Sequence, residues 1–145
     1  RCWGLIDLLR IALILLAIFF SPPVLAADLR VTVEGLRNDV GFLRLAFFDQ
    51  AKEFPHGKQV RGKDVSAKTG DMVLVFKNMS PGFYALAIHH DENTNKEMDT
   101  NFIGLPKEGY GFSNNARVIF GPPTFEAATF EISKGPAAIS LRLAY

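Results

Sequence analysis

The chain is short of most residues and patterns that would announce a reaction. It holds one cysteine, Cys2, among 145 residues. Beyond that N-terminal position there is no thiol to serve as a nucleophile, a disulfide partner or a metal ligand. The domain must therefore hold itself by its core or by a bound ion. No serine lies in G-x-S-x-G, no H-E-x-x-H occurs, and Gly109 and Gly111 lack the third glycine and the following helix of a dinucleotide fingerprint. Neither sign of charge dominates: setting aside Arg1, Asp7 and Arg10 leaves 14 basic and 14 acidic residues. A basic stripe is absent, so nucleic acid is not an expected partner. Sustained helical periodicity, internal repeats and low-complexity tracts are also missing. These absences lead to the expectation that the chain is not an enzyme.

Long hydrophobic runs are scarce too. Residues 11–20 form an apolar run of ten, about half of the ~20 that a spanning helix needs. Arg1 and Arg10 supply a positive start, Ser21-Pro22-Pro23 breaks any helix, and Val24-Leu25-Ala26 offers small residues to a signal peptidase. Residues 1–26 are expected to form a signal peptide, a helix cleaved after Ala26 or Ala27. The protein is then exported, periplasmic or extracellular, with no stable membrane anchor. Residues 27–145 remain as a single domain, long enough for one sizeable core.

What is there reads as strands. Leu29, Val31 and Val33 alternate with polar residues up to Gly35. From Gly41, Leu43, Leu45 and Phe47 share one face of a second strand; Phe42, Arg44, Ala46 and Phe48 make the other. Apolar character on both faces predicts a central strand or a second face covered by loops. Residues 59–67 suit a charged edge strand, and Met72, Leu74 and Phe76 mark a fourth. After the Pro81-Gly82 turn, Tyr84, Leu86, Ile88 and His90 are expected inward and Phe83, Ala85, Ala87, His89 and Asp91 outward. Tyr84 is placed for a hydroxyl bond to upstream backbone, as in a tyrosine corner. Further strands are expected at 116–120, at 128–132 with Phe125 as a plug, and at Ile139, Leu141, Leu143 and Tyr145. About seven short strands separated by turn signals predict an all-β fold, a seven-stranded antiparallel β-sandwich.

Residues 81–115 carry the chemistry. Asp91, Asn93, Asn95 and Asp99 follow D-x-N-x-N-x-x-x-D, with Glu97 supplying a carbonyl at the seventh place. Oxygens at those places can curl around one calcium ion. Lys96 stands where such loops use Gly, and Phe102 where they use a bidentate Glu, so binding in the weak ~10⁻⁴–10⁻³ M range is expected. Without metal, the same residues make Asx turns. The run PGFYALAIHHDENTNKEMDTNFIGLPKEGYGFSNNA, followed by FGPPTFEAATFEI and ISLRLAY, closely resembles the bacterial domain-of-unknown-function family numbered 2141, over about residues 28–145. The resemblance implies an exported protein with an immunoglobulin- or transthyretin-like β-sandwich. It implies no activity, because the family has none assigned. It also implies Gly at the place of Lys96, since other residues tolerate positive φ less well.

Three functional readings follow. The first is a non-catalytic binding or structural module whose calcium-stabilised loop holds residues 102–115, with a cell-envelope protein or glycan as partner. The second is a carbohydrate- or peptide-binding module: Tyr110 and Phe112 offer flat apolar faces, and Asn114 and Asn115 directional hydrogen bonds. The third is a metal-dependent hydrolase using His89, Asp91 and Asp99, with His56 a candidate further ligand. His89 and His90 are adjacent on a strand and point to opposite faces, so they cannot share one ion. Glu108 and Arg117 offer a charge pair in the same region.

Overall fold

The structure is a computed structural model and describes residues 26–145. Apart from Ala26, the expected signal peptide lies outside the described residues. Among the described residues, no helix is long and apolar enough to cross a membrane. Eight strands form two sheets: β1 (Ala27–Leu36), β2 (Phe42–Phe48), β3 (Arg61–Ser66), β4 (Gly70–Met79), β5 (Gly82–Asp91), β6 (Gly109–Phe112), β7 (Thr129–Ile132) and β8 (Ala137–Arg142). One sheet runs β4-β1-β8. The other runs β3-β2-β5-β6, and β7 pairs with the opposite end of the β5 edge that β6 occupies. A single turn of helix, α1 (Phe125–Ala128), precedes β7.

The period-two pattern accounts for the core. Leu29, Val31 and Val33 of β1, Leu43, Leu45 and Phe47 of β2, and Leu86, Ile88 and His90 of β5 are buried between the sheets. Phe47 meets Phe76 of β4 edge to face, with centroids 4.7 Å apart. β3 is an exposed edge strand, as its charges require. Tyr84 donates its hydroxyl to the Ser80 carbonyl at 2.9 Å, the expected corner.

Three expectations are corrected. Among the described residues the strands number eight, not seven. The sandwich is not wholly antiparallel either: β1 and β8 run parallel, from Leu29↔Ala137 to Glu34↔Arg142. Residues 116–120 form no strand; Ile119 and Phe120 are exposed there, and the strand of this region is instead β6. The glycines of β6 explain both its invisibility and its place. A Cβ on Gly109 would lie 2.5 Å from the Tyr145 ring, and one on Gly111 would lie 2.9 Å from Leu141 and 3.2 Å from the Arg142 carbonyl. Only glycine lets this backbone cross so close to the end of β8. Tyr110 and Ala144 exchange two hydrogen bonds, of 2.9 and 2.8 Å, that tie the two sheets together.

Candidate functional site

The outer face of the five-stranded sheet is partly roofed by loops. Ala85, Phe112 and Ala128 are buried in a second apolar cluster there, with Phe54, Tyr110 and Phe125 packed against it. Phe54 anchors the 50–58 loop through edge-to-face contacts with Phe48, Phe112 and Phe125. What the loops leave open is a cleft of about 480 Å³. Its floor includes Arg44, Phe48, Ala87, His89 and Tyr110; His56 lies on one wall, and Gly104, Pro106, Val118 and Pro122 lie toward the rim. The two rim loops expose Phe102 and Phe120 completely to solvent.

Beneath the floor at His89 lies a buried polar cluster. His89 and Asp91 stand two residues apart on β5 and share its outer face. The pairing of His90 with Gly109 sets Glu108 next in line, beside Asp91. His89 Nε2 and Glu108 Oε2 are 2.8 Å apart. Glu108 also accepts the Glu92 amide on Oε1 at 2.9 Å and the Asp99 amide on Oε2 at 3.3 Å. Asp91 is fully buried; its Oδ2 accepts Arg44 Nε at 2.6 Å and the Lys96 amide at 3.0 Å. Burial opposes the charge on Asp91, but the bonds from Arg44 and Lys96 outweigh it and hold the carboxyl below its ordinary value. Arg44 also bonds Asp64 on β3. One ligand atom from each of His89, Asp91 and Glu108 lies within 4.8 Å of the others. His89 and Asp91 are candidates from the sequence alone, and Glu108 was offered there as a charge partner for Arg117; in the structure Glu108 bonds His89 and backbone instead. Sequence reasoning had no signal for that partnership, because Glu108 takes its place from β6, the strand hidden by its glycines.

The predicted calcium loop closes on itself. Asn93 and Asn95 each accept a backbone amide two residues on, at 3.0 and 2.8 Å, and each turns its NH2 to the Asp99 carboxylate. Glu97 is exposed and donates its amide to Asn95. Asp91 belongs to the cluster on the sheet, whereas Asp99 belongs to the two asparagines. Lys96 adopts the positive φ, 69°, that the sixth place of the pattern asks of glycine.

The second set of candidates also divides. Tyr110 is half-buried and reaches the cleft; Phe112 is buried in the outer cluster with one edge on the cleft. Asn114 gives its amide to the Thr129 carbonyl at 2.7 Å, and Asn115 accepts the Arg142 amide at 2.8 Å, so both brace backbone. His90 faces the core. Its Nε2 donates to the Val40 carbonyl at 2.8 Å, which makes Nδ1 the acceptor of the Tyr145 hydroxyl at 2.6 Å. His56 is exposed on the cleft wall, away from the polar cluster.

A family model described as an uncharacterized protein conserved in bacteria, DUF2141, matches residues 31–140. No curated protein and no solved structure matches the chain.

Proposed function

From the premise that the chain belongs to the DUF2141 family of uncharacterized bacterial proteins, we propose that it is a non-catalytic recognition module of the cell envelope, taking a glycan in the cleft on its five-stranded sheet. One observation supports this above others: a cleft of about 480 Å³ that sets an aromatic ring, Tyr110, beside the donors Arg44, His56 and His89. That size suits a small ligand. A flat ring with directional donors nearby suits a sugar, whose apolar face stacks while its hydroxyls bond. Export fits the N-terminal apolar run. We read the two-sheet sandwich as immunoglobulin- or transthyretin-like. The test is a glycan array followed by chemical-shift mapping of the full chain. Saturable shifts at Tyr110 and His89, weakened about tenfold or more by Tyr110→Ala, are expected. Silence across glycans, or shifts mapping elsewhere, would overturn the proposal; a response to extended peptides alone would move it to peptide recognition.

A second reading rests on the 91–99 loop and one feature of it. The positive φ of Lys96 and its amide bond to Asp91 reproduce the tight turn for which oxygen-ligand loops use glycine. On this reading calcium binds weakly once Asn93 and Asn95 turn their carbonyl oxygens inward. Melting curves at millimolar calcium test it, and an unchanged melting temperature rejects it.

A further inference from the structure

We propose that His89, Asp91 and Glu108 bind one divalent cation of the zinc class at the inner end of the cleft. The donor set is one imidazole and two carboxylates, which suits zinc or manganese better than calcium. The three ligand atoms lie within 4.8 Å of one another. Ligands at about 2.0–2.2 Å from a tetrahedral ion stand about 3.3–3.6 Å apart, so the widest pair closes by up to about 1.5 Å, by side-chain rotation, when the ion enters.

A second observation is independent of the clustering. Asp91 is 0 % exposed, and its Oδ1 is the one buried side-chain oxygen or nitrogen without a partner among the described residues. Arg44 and the Lys96 amide both fall on Oδ2. Oδ1 is thereby left with its lone pairs free, in a place where water does not reach. Charge points the same way. Asp91 and Glu108 are both buried, and the Arg44 guanidinium on Asp91 is shared with exposed Asp64. Among the described residues, His89 is the one side chain bonded to Glu108. A cation between the two carboxylates would offset their repulsion and take the position now bridged by the 2.8 Å bond between His89 and Glu108. The amides of Glu92 and Asp99 already fix the Glu108 carboxylate, as outer-sphere donors commonly do for a metal ligand.

The test uses the full chain, freed of metal with a chelator and titrated calorimetrically with Zn2+, Mn2+ and Ca2+ in separate runs. One equivalent of Zn2+ is expected to bind, with affinity reduced at least tenfold by His89→Gln or by Glu108→Gln and unchanged by His56→Ala. Mn2+ added to labelled wild-type protein should broaden the amide signals of residues 89, 91 and 108 first, which needs no variant to fold. Asn95→Ala separates this site from the loop reading, since it should leave Zn2+ binding intact. Absence of saturable Zn2+ or Mn2+ binding, broadening centred on residues 93–99, or Zn2+ binding that survives both substitutions at 89 and 108 would each overturn the proposal.

Discussion

At the scale of single residues, buried polar groups do the most work. Asp91 has its folded pKa depressed, so the stability it contributes is fully present above its unfolded pKa and is lost as pH falls through the folded one. Glu92 behaves likewise, because Arg37 bonds its carboxylate and Asn38 supports it. Urea midpoints are therefore expected to hold from neutral pH down to about 5 and to fall below about 4. Asp91→Asn should flatten part of that acid limb while lowering stability at neutral pH. Ser113 is a stricter case. It is fully buried, accepts the Leu86 amide at 2.9 Å and donates to the Ala128 carbonyl. Ser113→Ala strands both groups and should cost about 1–3 kcal/mol in denaturant unfolding. Lys96 carries the opposite opportunity. Relief of its positive φ makes Lys96→Gly neutral to stabilising, by up to about 1 kcal/mol in the same measurement.

At the scale of elements, β6 decides what the sequence could convey. The alternation in β1 and β5 was legible down to which face each side chain takes, including Tyr84 at its corner and His90 in the core, whereas β2, apolar on both faces, showed which residues share a face but not which face is inner. β6 was not, because Gly109 and Gly111 are poor strand formers in isolation and are explained only by the chain that crosses them. Residues 116–120 misled for the converse reason: Val118, Ile119 and Phe120 look like buried strand, yet Ile119 and Phe120 face solvent on a rim loop. The candidate site followed the same division. His89 and Asp91 could be placed together from β5 alone, whereas Glu108 required the register of β6. Gly111→Ala pushes a methyl toward Leu141 and the Arg142 backbone. It should destabilise the fold by about 1–3 kcal/mol, measured by urea unfolding, and loosen Glu108 with it. Under the proposed cation site, the same variant should also weaken Zn2+ binding.

At the scale of the whole molecule, the protein is a sandwich with one dense layer between its sheets and a looser one outside the larger sheet. Phe47 is fully buried and packs edge to face on Phe76. Phe47→Ala should cost about 3–5 kcal/mol, read from the shift in denaturant midpoint. Amide exchange should be slowest in β1, β2 and β5, each paired on both sides within its sheet, and fastest in the exposed parts of the rim loops that carry Phe102 and Phe120. The outer layer is thus the portion free to adjust around an occupant without disturbing the fold.

The parallel pairing of β1 with β8 has a mechanical corollary. Parallel neighbours enter and leave at opposite poles, so traction on the start of β1 and the end of β8 slides the two past each other. The six register pairs from Leu29↔Ala137 to Glu34↔Arg142 would then be loaded together in shear, rather than peeled apart one by one. A tether pulled that way should yield abruptly at high force, whereas traction between β1 and β4, which run antiparallel, should unzip at a lower one.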